Sequence, residues 1–467
     1  MIVVRAALGL LIASLTLALA VGCEVRNPDF CCTTTESCAQ VGVGGPVTCR
    51  APDQPFCDDQ GMYGTARACV PDPGTTRCTG PADCPTTGLP VCDLGGSGTC
   101  IGCSVADDCA RFATTPLCDD GSHACVACRT SADCGGANPV CGTDHTCQPC
   151  TSDDECGSGL CIQGGSCAAT SDIVYVDRGA AITNVDCTAA APCQTINGGL
   201  AKVTATRKYV KVAPGTYGER LILDGRTVDL YGTGAELTST FDPVVDVRTT
   251  STLTVTGLRI RGGTGTGLRC LDSTLTLRRA GLEDNGGRGL DASACNVTIE
   301  GARVLRNFRG GLGLARGRIA IRNSFIGKNG NMSSSVGGVA ITEPFDLAFE
   351  FNTIVDNLVL TGATAGLLCQ TGTAVAVANN IVVGDVAKQV DADSCAPRYT
   401  LSTQVVTGAT NLRGTPTFRN GAAGDYHLVA GSIGIDQADP AATLVIDIDG
   451  DSRPNGARAD IGADELP

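Results

Sequence analysis

Residues 275–299 read LTLRRAGLEDNGGRGLDASACNVTI, and this stretch contains one full unit of a repeat that fills the middle of the chain. Short runs of alternating apolar residues start every 22 residues, at Leu253-Thr-Val255, Leu275-Thr-Leu277, Val297-Thr-Ile299 and Ile319-Ala-Ile321. Two later runs follow at 28-residue steps, at Leu347-Ala-Phe349 and Val375-Ala-Val377. Strand-like runs joined by Gly/Asn turns, with so short a period and no helical pattern between them, are typical of a β-solenoid. The sequence therefore predicts an all-β fold for this half of the chain.

The alternation within each unit predicts which side chains face inward. The first and third residues of a run are apolar and are expected to point into the coil, whereas the second and fourth face outward. The fourth positions are, in chain order, Thr256, Arg278, Glu300, Arg322 and Glu350. Opposite charges should therefore alternate along one outer face. This ladder accounts for several arginines of residues 250–330, which contain 13 basic and five acidic residues. A ligand for that basic surface is the alternative.

Asparagine recurs with the same period, at Asn285, Asn307, Asn329 and, after the longer step, Asn357. We expect these residues to occupy the sharp corners of the coils, because asparagine tolerates the left-handed backbone conformation. Their stacked amides can also hydrogen-bond one another. Both roles are structural and need no ligand.

The N-terminus has the pattern of an export signal. Arg5 precedes an apolar stretch, residues 6–20, that is too short for a stable transmembrane helix. The stretch ends in Ala20-Val-Gly-Cys23, which resembles the lipobox of bacterial lipoproteins, with Ala20 where that family usually has leucine. The resemblance implies that residues 1–22 form the signal peptide and that Cys23 is lipidated. The alternative is a simple secretory signal, with Cys23 in a disulfide.

Cysteine usage agrees with export. The chain has 29 cysteines, and setting Cys23 aside leaves two even sets, 22 between Cys31 and Cys167 and six from Cys187 to Cys395. Even sets suit an oxidising compartment, in which cysteines pair as disulfides. Residues 23–170 contain too few apolar residues for a core, so we expect a disulfide-rich, loop-dominated repeat domain that is stabilised by its cross-links.

Four modules of four cysteines open at Cys78, Cys103, Cys128 and Cys150, each with five residues between its first two cysteines. An irregular module of six cysteines, Cys31 to Cys69, precedes them. At the junctions, pairs such as Cys100 and Cys103 also have zinc-ribbon spacing, with His123 and His145 as conceivable extra ligands. Export favours disulfides over this alternative, and the sequence predicts neither a metal nor a cofactor.

The second half resembles right-handed parallel β-helix proteins of the pectin-lyase-like superfamily. The matching residues are Cys193-Gln-Thr-Ile196, Val212-Ala-Pro-Gly-Thr-Tyr217 and Val228-Asp-Leu-Tyr-Gly232. Helical spacing of apolar residues predicts a short helix over residues 194–206 that plugs the first coil. The resemblance implies a right-handed parallel β-helix, or solenoid, over residues 171–395.

The terminal motif spans Asp447-Ile-Asp-Gly-Asp-Ser-Arg-Pro454 to Asp460-Ile-Gly-Ala-Asp-Glu465. It looks like the end of choice-of-anchor Q domain proteins, which implies that residues 396–467 end the β-helix and that the protein lies at a cell surface. Asp447, Asp449 and Asp451 could suggest calcium, but Gly450 stands fourth in the run, where an EF-hand loop has its glycine sixth. Turn capping, or pairing with Arg453 and Arg458, is the interpretation that we favour.

The six cysteines of the β-helix are expected to form three disulfides. Two pairs are separated by 25 and 26 residues, about one coil, so each second cysteine should return beside the first. The third pair flanks a short alanine-rich loop that suits a local bridge. The predicted pairs are Cys270–Cys295, Cys369–Cys395 and Cys187–Cys193.

Catalytic motifs of the superfamily are interrupted in this chain. Val244 replaces the histidine of an epimerase-type Asp-Pro-His motif, and Ile354 replaces the second acid of a polygalacturonase-type Asn-Thr-Asp motif. The one histidine of the β-helix half, His427, lies outside the regular coils. Elimination leaves four candidate acids, which we interpret as solvated turn residues. These candidates are Asp356, Asp385, Asp391 and Asp393.

The net charge of −14 gives no support to nucleic-acid binding. The sequence predicts a non-catalytic, lipid-anchored bacterial protein at the outer membrane or cell surface. Its membrane contact is the N-terminal lipid, and its expected role is adhesion, or binding of a glycan or protein through the β-helix flank. The alternative is a polysaccharide lyase, hydrolase or epimerase with a divergent site.

Overall fold

The computed structural model describes residues 56–58, 68–70, 78–95, 98–384, 388–391 and 394–467. The signal segment, Cys23 and most of the six-cysteine module lie outside the described residues, as do Asp385 and Asp393. The chain divides into two compact units, with the boundary between residues 156 and 167. Among the residues with described structure, no helix has the length and apolar character needed to cross a membrane.

The cysteine-rich unit consists of short antiparallel hairpins and single 3₁₀ turns. The paired strands are Phe56–Asp58 with Ala68–Val70, Val91–Cys92 with Cys100–Ile101, Leu117–Cys118 with Cys125–Val126, Val140–Cys141 with Cys147–Gln148, and Cys161–Ile162 with Ser166–Cys167. The turns are Pro81–Asp83, Ala106–Cys109, Ser131–Asp133 and Asp153–Glu155, followed by Thr170–Asp172 before the β-helix.

In the four-cysteine modules that open at Cys78, Cys103 and Cys128, the cysteines pair first with third and second with fourth, and the module at Cys150 has the same first–third bond. The bonds are Cys78–Cys92, Cys84–Cys100, Cys103–Cys118, Cys109–Cys125, Cys128–Cys141, Cys134–Cys147 and Cys150–Cys161, and Cys156 and Cys167 are also disulfide-bonded. The junction cysteines are therefore not zinc ligands. His123 and His145 instead adopt left-handed backbone conformations, and their Nδ1 atoms lie 3.1 Å from main-chain carbonyl oxygens.

The constant first gap of the modules has a local cause. The acidic residue before the second cysteine accepts a hydrogen bond from the backbone N–H four residues earlier, and so closes the 3₁₀ turn. These hydrogen bonds lower the carboxyl pKa below its usual value at all four positions. The four acids are Asp83, Asp108, Asp133 and Glu155.

The second unit is a parallel β-helix with three sheets, so the all-β fold predicted from the repeat is confirmed. Sheet A has ten strands: Ile173–Val176, Tyr209–Val212, Thr227–Tyr231, Thr252–Thr256, Thr274–Arg278, Asn296–Glu300, Arg318–Arg322, Asp346–Glu350, Val375–Ala378 and Cys395–Arg398. Sheet B also has ten: Gly215–Gly218, Ala235–Thr238, Arg259–Arg261, Gly281–Glu283, Arg303–Leu305, Phe325–Gly327, Thr353–Val355, Ile381–Val383, Leu401–Ser402 and Leu412–Arg413. Sheet C has seven: Leu221–Asp224, Val245–Arg248, Leu268–Leu271, Arg288–Ser293, Gly310–Ala315, Val339–Thr342 and Leu367–Gln370.

Strand register in sheet A follows the 22-residue step. Leu253 pairs with Leu275, and Leu275 with Val297, so the apolar positions stack in columns inside the coil and are buried. The outward positions stack likewise: Arg278 lies 3.6 Å from Glu300, and Arg322 lies 2.8 Å from Glu350. The charge ladder is therefore present. Each of these half-exposed pairs contributes only about 0–1 kcal/mol.

The asparagine ladder is present, but the predicted backbone role of asparagine is wrong. The left-handed residues at this corner are those that precede each asparagine, namely Asp284, Arg306, Lys328 and Asp356. The asparagines turn their side chains inward, where each is at most 2% exposed. Asn285 donates to Asn307 at 2.9 Å, Asn307 to Asn329 at 2.9 Å, and Asn329 to Asn357 at 3.0 Å. The recurring glycines leave room for these amides, since a Cβ on Gly289 would lie 2.8 Å from Nδ2 of Asn307.

The helix that plugs the first coil is shorter than predicted. It spans Ile196–Leu200, with the Thr195 hydroxyl accepting from the N–H of Gly198. Ile196 and Leu200 are buried in the core of the β-helix. Two consecutive glycines, Gly198 and Gly199, weaken a longer helix, and Gly199 allows close packing, because a Cβ there would lie 2.6 Å from Val176.

Three disulfides cross-link the β-helix, Cys187–Cys193, Cys270–Cys295 and Cys369–Cys395. These are the pairs that the spacing predicts. Their Cα atoms lie 4.6, 6.0 and 5.3 Å apart, as disulfide geometry requires. The second and third pairs connect one coil to the next.

After residue 413 the chain leaves the three sheets of the β-helix. A hairpin of Phe418–Asn420 and Asp425–Leu428, joined by the 3₁₀ turn Gly421–Ala423, begins a segment that folds back along the outer face of sheet B. We call residues 418–467 the C-terminal cover. Main-chain carbonyl groups of the cover accept hydrogen bonds from the side chains of Arg303 and Lys328, about a hundred residues earlier in the chain. Phe325 and Phe351 of the coil pack with Tyr426 and Ile461 in a second apolar core.

Candidate functional site

A cleft of about 370 Å³ lies on the outer face of sheet B, beside the C-terminal cover. Strands of sheet B and the preceding corner form the floor and one wall. The cover forms the other wall through His427, Ile448 and Asp449. The cleft therefore exists only because the cover folds back onto the coil.

A glycine interrupts a column of large side chains and creates the depression. In sheet B, Gly281 pairs with Arg259 on one side and with Arg303 on the other. The next residue of this column is Phe325, which is fully buried at the end of the cleft. Because adjacent strands lie about 4.8 Å apart, the two arginine backbones stand roughly 10 Å apart across the gap.

Two arginines of the cleft have no acidic partner in the part of the chain that the structure describes. Arg279, at a left-handed corner, is exposed and forms no ion pair within the described part of the chain. Arg303 donates a hydrogen bond to the carbonyl oxygen of Gly424 at 2.8 Å and stacks over Phe325, 5.5 Å from the ring centre. Arg303 likewise forms no ion pair with a described residue. Arg259, by contrast, is paired with Glu236.

The arginines just outside the cleft are neutralised. Arg261 lies 3.4 Å from Glu236 and 3.3 Å from Asp284, whereas Arg306 lies 2.6 Å from Asp284 and 3.0 Å from Glu283. The hydrogen bonds that Arg306 donates to Asp284 raise the pKa of Arg306. Among the arginines that line the cleft, Arg279 and Arg303 are thus those without an acidic partner in the described part of the chain. They lie in a segment for which the sequence left open both charge pairing and a ligand.

His427 joins the cleft to a group of acids. Its Nδ1 contacts Asp425, and its Nε2 lies 2.7 Å from Asp449. Burial acts to raise the pKa of Asp425, but hydrogen bonds from His427 outweigh it and lower that pKa. Burial also raises the pKa of nearby Asp464 to about 6, despite a hydrogen bond from the N–H of Leu428.

The terminal motif holds the cover together. Asp447 caps a turn, since its Oδ1 accepts from the N–H groups of Asp449, Gly450 and Asp451 at 2.8–2.9 Å. Turn capping, one of the two roles expected for these acids, is therefore confirmed, whereas the alternative pairing with Arg453 or Arg458 is not found among the described residues. Arg453 is buried and pairs with Glu465 at 3.4 Å, because its guanidinium points into the cover, and Arg458 forms no ion pair with a described residue.

The two candidate acids that the structure describes, Asp356 and Asp391, do not line this cleft. Asp356 occupies a left-handed corner, and Asp391 lies 3.7 Å from Lys388. Asp391 also lines a shallow polar cavity of about 450 Å³ together with Glu343 and Gln370. The other two candidates, Asp385 and Asp393, lie outside the described residues.

No protein-family model matches the chain, and no curated protein matches it. Among solved structures, the pectate lyase Pel9A is 15% identical, with a TM-score of 0.33 over 64% of this chain and 100% of that one. A pectin methylesterase from Aspergillus niger is 13% identical, with a TM-score of 0.26 over 56% of this chain and 95% of that one. The fold rests on the strand pairing, and no activity is carried over from either enzyme.

Proposed function

We propose that this chain is an exported bacterial lipoprotein of the outer membrane or cell surface, and that its β-helix binds an acidic glycan in the cleft on sheet B. The observation that carries the glycan proposal is the pair Arg279 and Arg303, two guanidinium groups that have no acidic partner among the described residues and lie beside a gap whose floor contains Gly281. Guanidinium groups bind carboxylate and sulfate through paired, charge-assisted hydrogen bonds. A non-catalytic binding role agrees with the interrupted catalytic motifs.

The surface location is supported by three features. All cysteines of the modules that open at Cys103 and Cys128 are disulfide-bonded, which suits an oxidising compartment. The sequence before Cys23 resembles a lipobox, and the terminal motif resembles that of choice-of-anchor Q surface proteins. In this arrangement the cysteine-rich unit connects the lipid to the β-helix.

Replacing Arg279 with glutamine is expected to weaken glycan binding about tenfold or more, because a charge-assisted hydrogen bond contributes about 1.5–3 kcal/mol. Polyuronates and sulfated glycans form the test panel, scored for binding by calorimetry and for product release. Arg316→Gln is the matched control, since Arg316 is exposed, lies at a different corner, between sheets C and A, and also forms no ion pair with a described residue. Equal binding by both variants would contradict the proposal, and product release would favour the enzymatic alternative.

Replacing Cys23 with serine is expected to abolish incorporation of labelled palmitate and to move the protein from the membrane fraction to the soluble fraction. The reason is that the thioether to the lipid requires the cysteine sulfur. A serine at Cys31, a cysteine of the following module, serves as control and should leave labelling unchanged. Continued labelling of the Cys23 variant would show that the anchor has been assigned to the wrong residue.

A further inference from the structure

Beside the cleft, the C-terminal cover brings together one imidazole and two carboxylates. His427, Asp449 and Asp464 each offer one ligand atom, and the three atoms lie within 4.8 Å of one another. Asp464 is only 4% exposed. One of its oxygens accepts from the N–H of Leu428 at 2.6 Å, and the other receives no hydrogen bond from any described residue. That second oxygen is not among the fully buried unpaired atoms of the described residues, so it remains accessible to a ligand.

The imidazole is oriented before any ligand arrives. Asp425 contacts Nδ1 of His427 on the side away from Asp449, which directs Nε2 toward the other two acids. The ring packs edge-on against Phe325, with 5.1 Å between ring centres, and the side chain is 14% exposed. A carboxylate behind a histidine in this way fixes the tautomer of metal-bound imidazoles and increases their basicity.

The site is open on the side of the cleft. The Asp449 side chain is 53% exposed, and both Asp449 and His427 line the cleft. An ion bound by the three side chains would therefore keep at least one position for water or for a ligand in the cleft. Asp447 is not part of this group, because both of its oxygens accept main-chain N–H groups.

We propose that His427, Asp449 and Asp464 bind one divalent transition-metal ion of the Zn²⁺ type. Imidazole combined with carboxylates suits Zn²⁺ and its neighbours, whereas Ca²⁺ is held by oxygen ligands alone. This inference goes beyond the proposed glycan binding, which rests on Arg279 and Arg303. It also differs from the sequence-based interpretation of Asp449 as a turn residue, since Asp447 caps that turn.

The test uses the full chain with its disulfides intact, treated with a chelator and then titrated with Co²⁺ and Zn²⁺. We expect one Co²⁺ per chain, with visible absorption bands that Zn²⁺ abolishes by displacement. His427→Gln should remove the bands, and Asp425→Asn, behind the imidazole, should weaken affinity about 10–100-fold. The control carries His123→Gln and His145→Gln in the cysteine-rich unit and should bind as the unaltered protein does.

Any of three results would refute the proposed metal site: no saturable Co²⁺ or Zn²⁺ binding by the folded protein, unchanged metal binding by His427→Gln, or a preference for Ca²⁺. Should His427→Gln fail to fold, Asp449→Asn at the half-exposed position decides, and unchanged affinity there refutes the proposal. Glycan binding is repeated in the presence of EDTA, and Arg279→Gln is titrated with Co²⁺. The two proposals can then fail separately, because Arg279→Gln should lose glycan binding and keep the metal.

Discussion

Replacing Asn307 with leucine is expected to destabilise the β-helix by about 4 kcal/mol or more, because four buried polar groups, Oδ1 of Asn329 among them, each lose a hydrogen-bond partner. Each such loss costs about 1–3 kcal/mol. The backbone N–H and the side-chain amide of Asn285 both donate to Oδ1 of Asn307, at 3.2 and 2.9 Å. The carbonyl oxygen of Leu282 accepts from Nδ2 of Asn307 at 2.8 Å. Asn307 is fully buried, so water has no path to replace these bonds.

Urea unfolding monitored by far-UV circular dichroism measures this effect. The matched control is Asn296→Ala, which removes an exposed asparagine of the same coil whose side chain accepts a single hydrogen bond, from the N–H of Arg318 at 3.0 Å. Asn296→Ala should lower the free energy of unfolding by about 1 kcal/mol or less. A loss of less than about 1 kcal/mol in Asn307→Leu would show that the amide ladder adds little to stability.

The coils of the β-helix could be predicted from the sequence because two local signals agree. Alternation of apolar residues determines which face of a strand is buried, and the constant step determines which residues stack. Together they place Leu275 under Leu253 and Glu300 beside Arg278 without any knowledge of the rest of the chain. The one-coil disulfides follow from the same step.

The corner conformation could not be predicted in the same way. Periodic asparagine indicates that a corner recurs, but not which of two adjacent residues is left-handed. The inward position needs a side chain that both donates and accepts hydrogen bonds, and Asn285 provides one. The left-handed position is occupied by Asp284, whose side chain can project into solvent. Asparagine thus recurs because its side-chain amide forms hydrogen bonds, and not because its backbone tolerates the left-handed conformation.

The cleft lay beyond sequence reasoning because its two walls are far apart in the chain. The contact between Arg303 and Gly424 joins residues that no sequence repeat relates. The cover also contains too little regular secondary structure to indicate where it packs. One signal was present, since Gly281 breaks a column that otherwise reads Arg259, Arg303 and Phe325. It becomes informative only once the register of sheet B is known.

Replacing Arg453 with methionine is expected to destabilise the C-terminal cover by about 3–5 kcal/mol, the usual cost of leaving one member of a buried ion pair alone. Glu465 would remain 2% exposed with no cation beside it. The carbonyl oxygens of Asp460 and Gly462 would also lose the guanidinium, which donates to them at 2.8 and 3.3 Å. Stacking of Arg453 over Phe351, 4.5 Å from the ring centre, would be lost as well.

Hydrogen exchange of residues 418–467 measures this effect, because the loss should appear as faster exchange in the cover while the coils of sheet A stay protected. Arg458→Met is the control, since Arg458 forms no ion pair within the described residues, and it should exchange as the unaltered protein does. Adding Glu465→Gln to Arg453→Met should recover part of the loss, because the unpaired charge is then removed. If Arg453→Met alone exchanges as slowly as the control, the buried pair does not hold the cover on sheet B. The wall formed by His427 and Asp449 must then be fixed by the apolar contacts of Tyr426 and Ile461 instead.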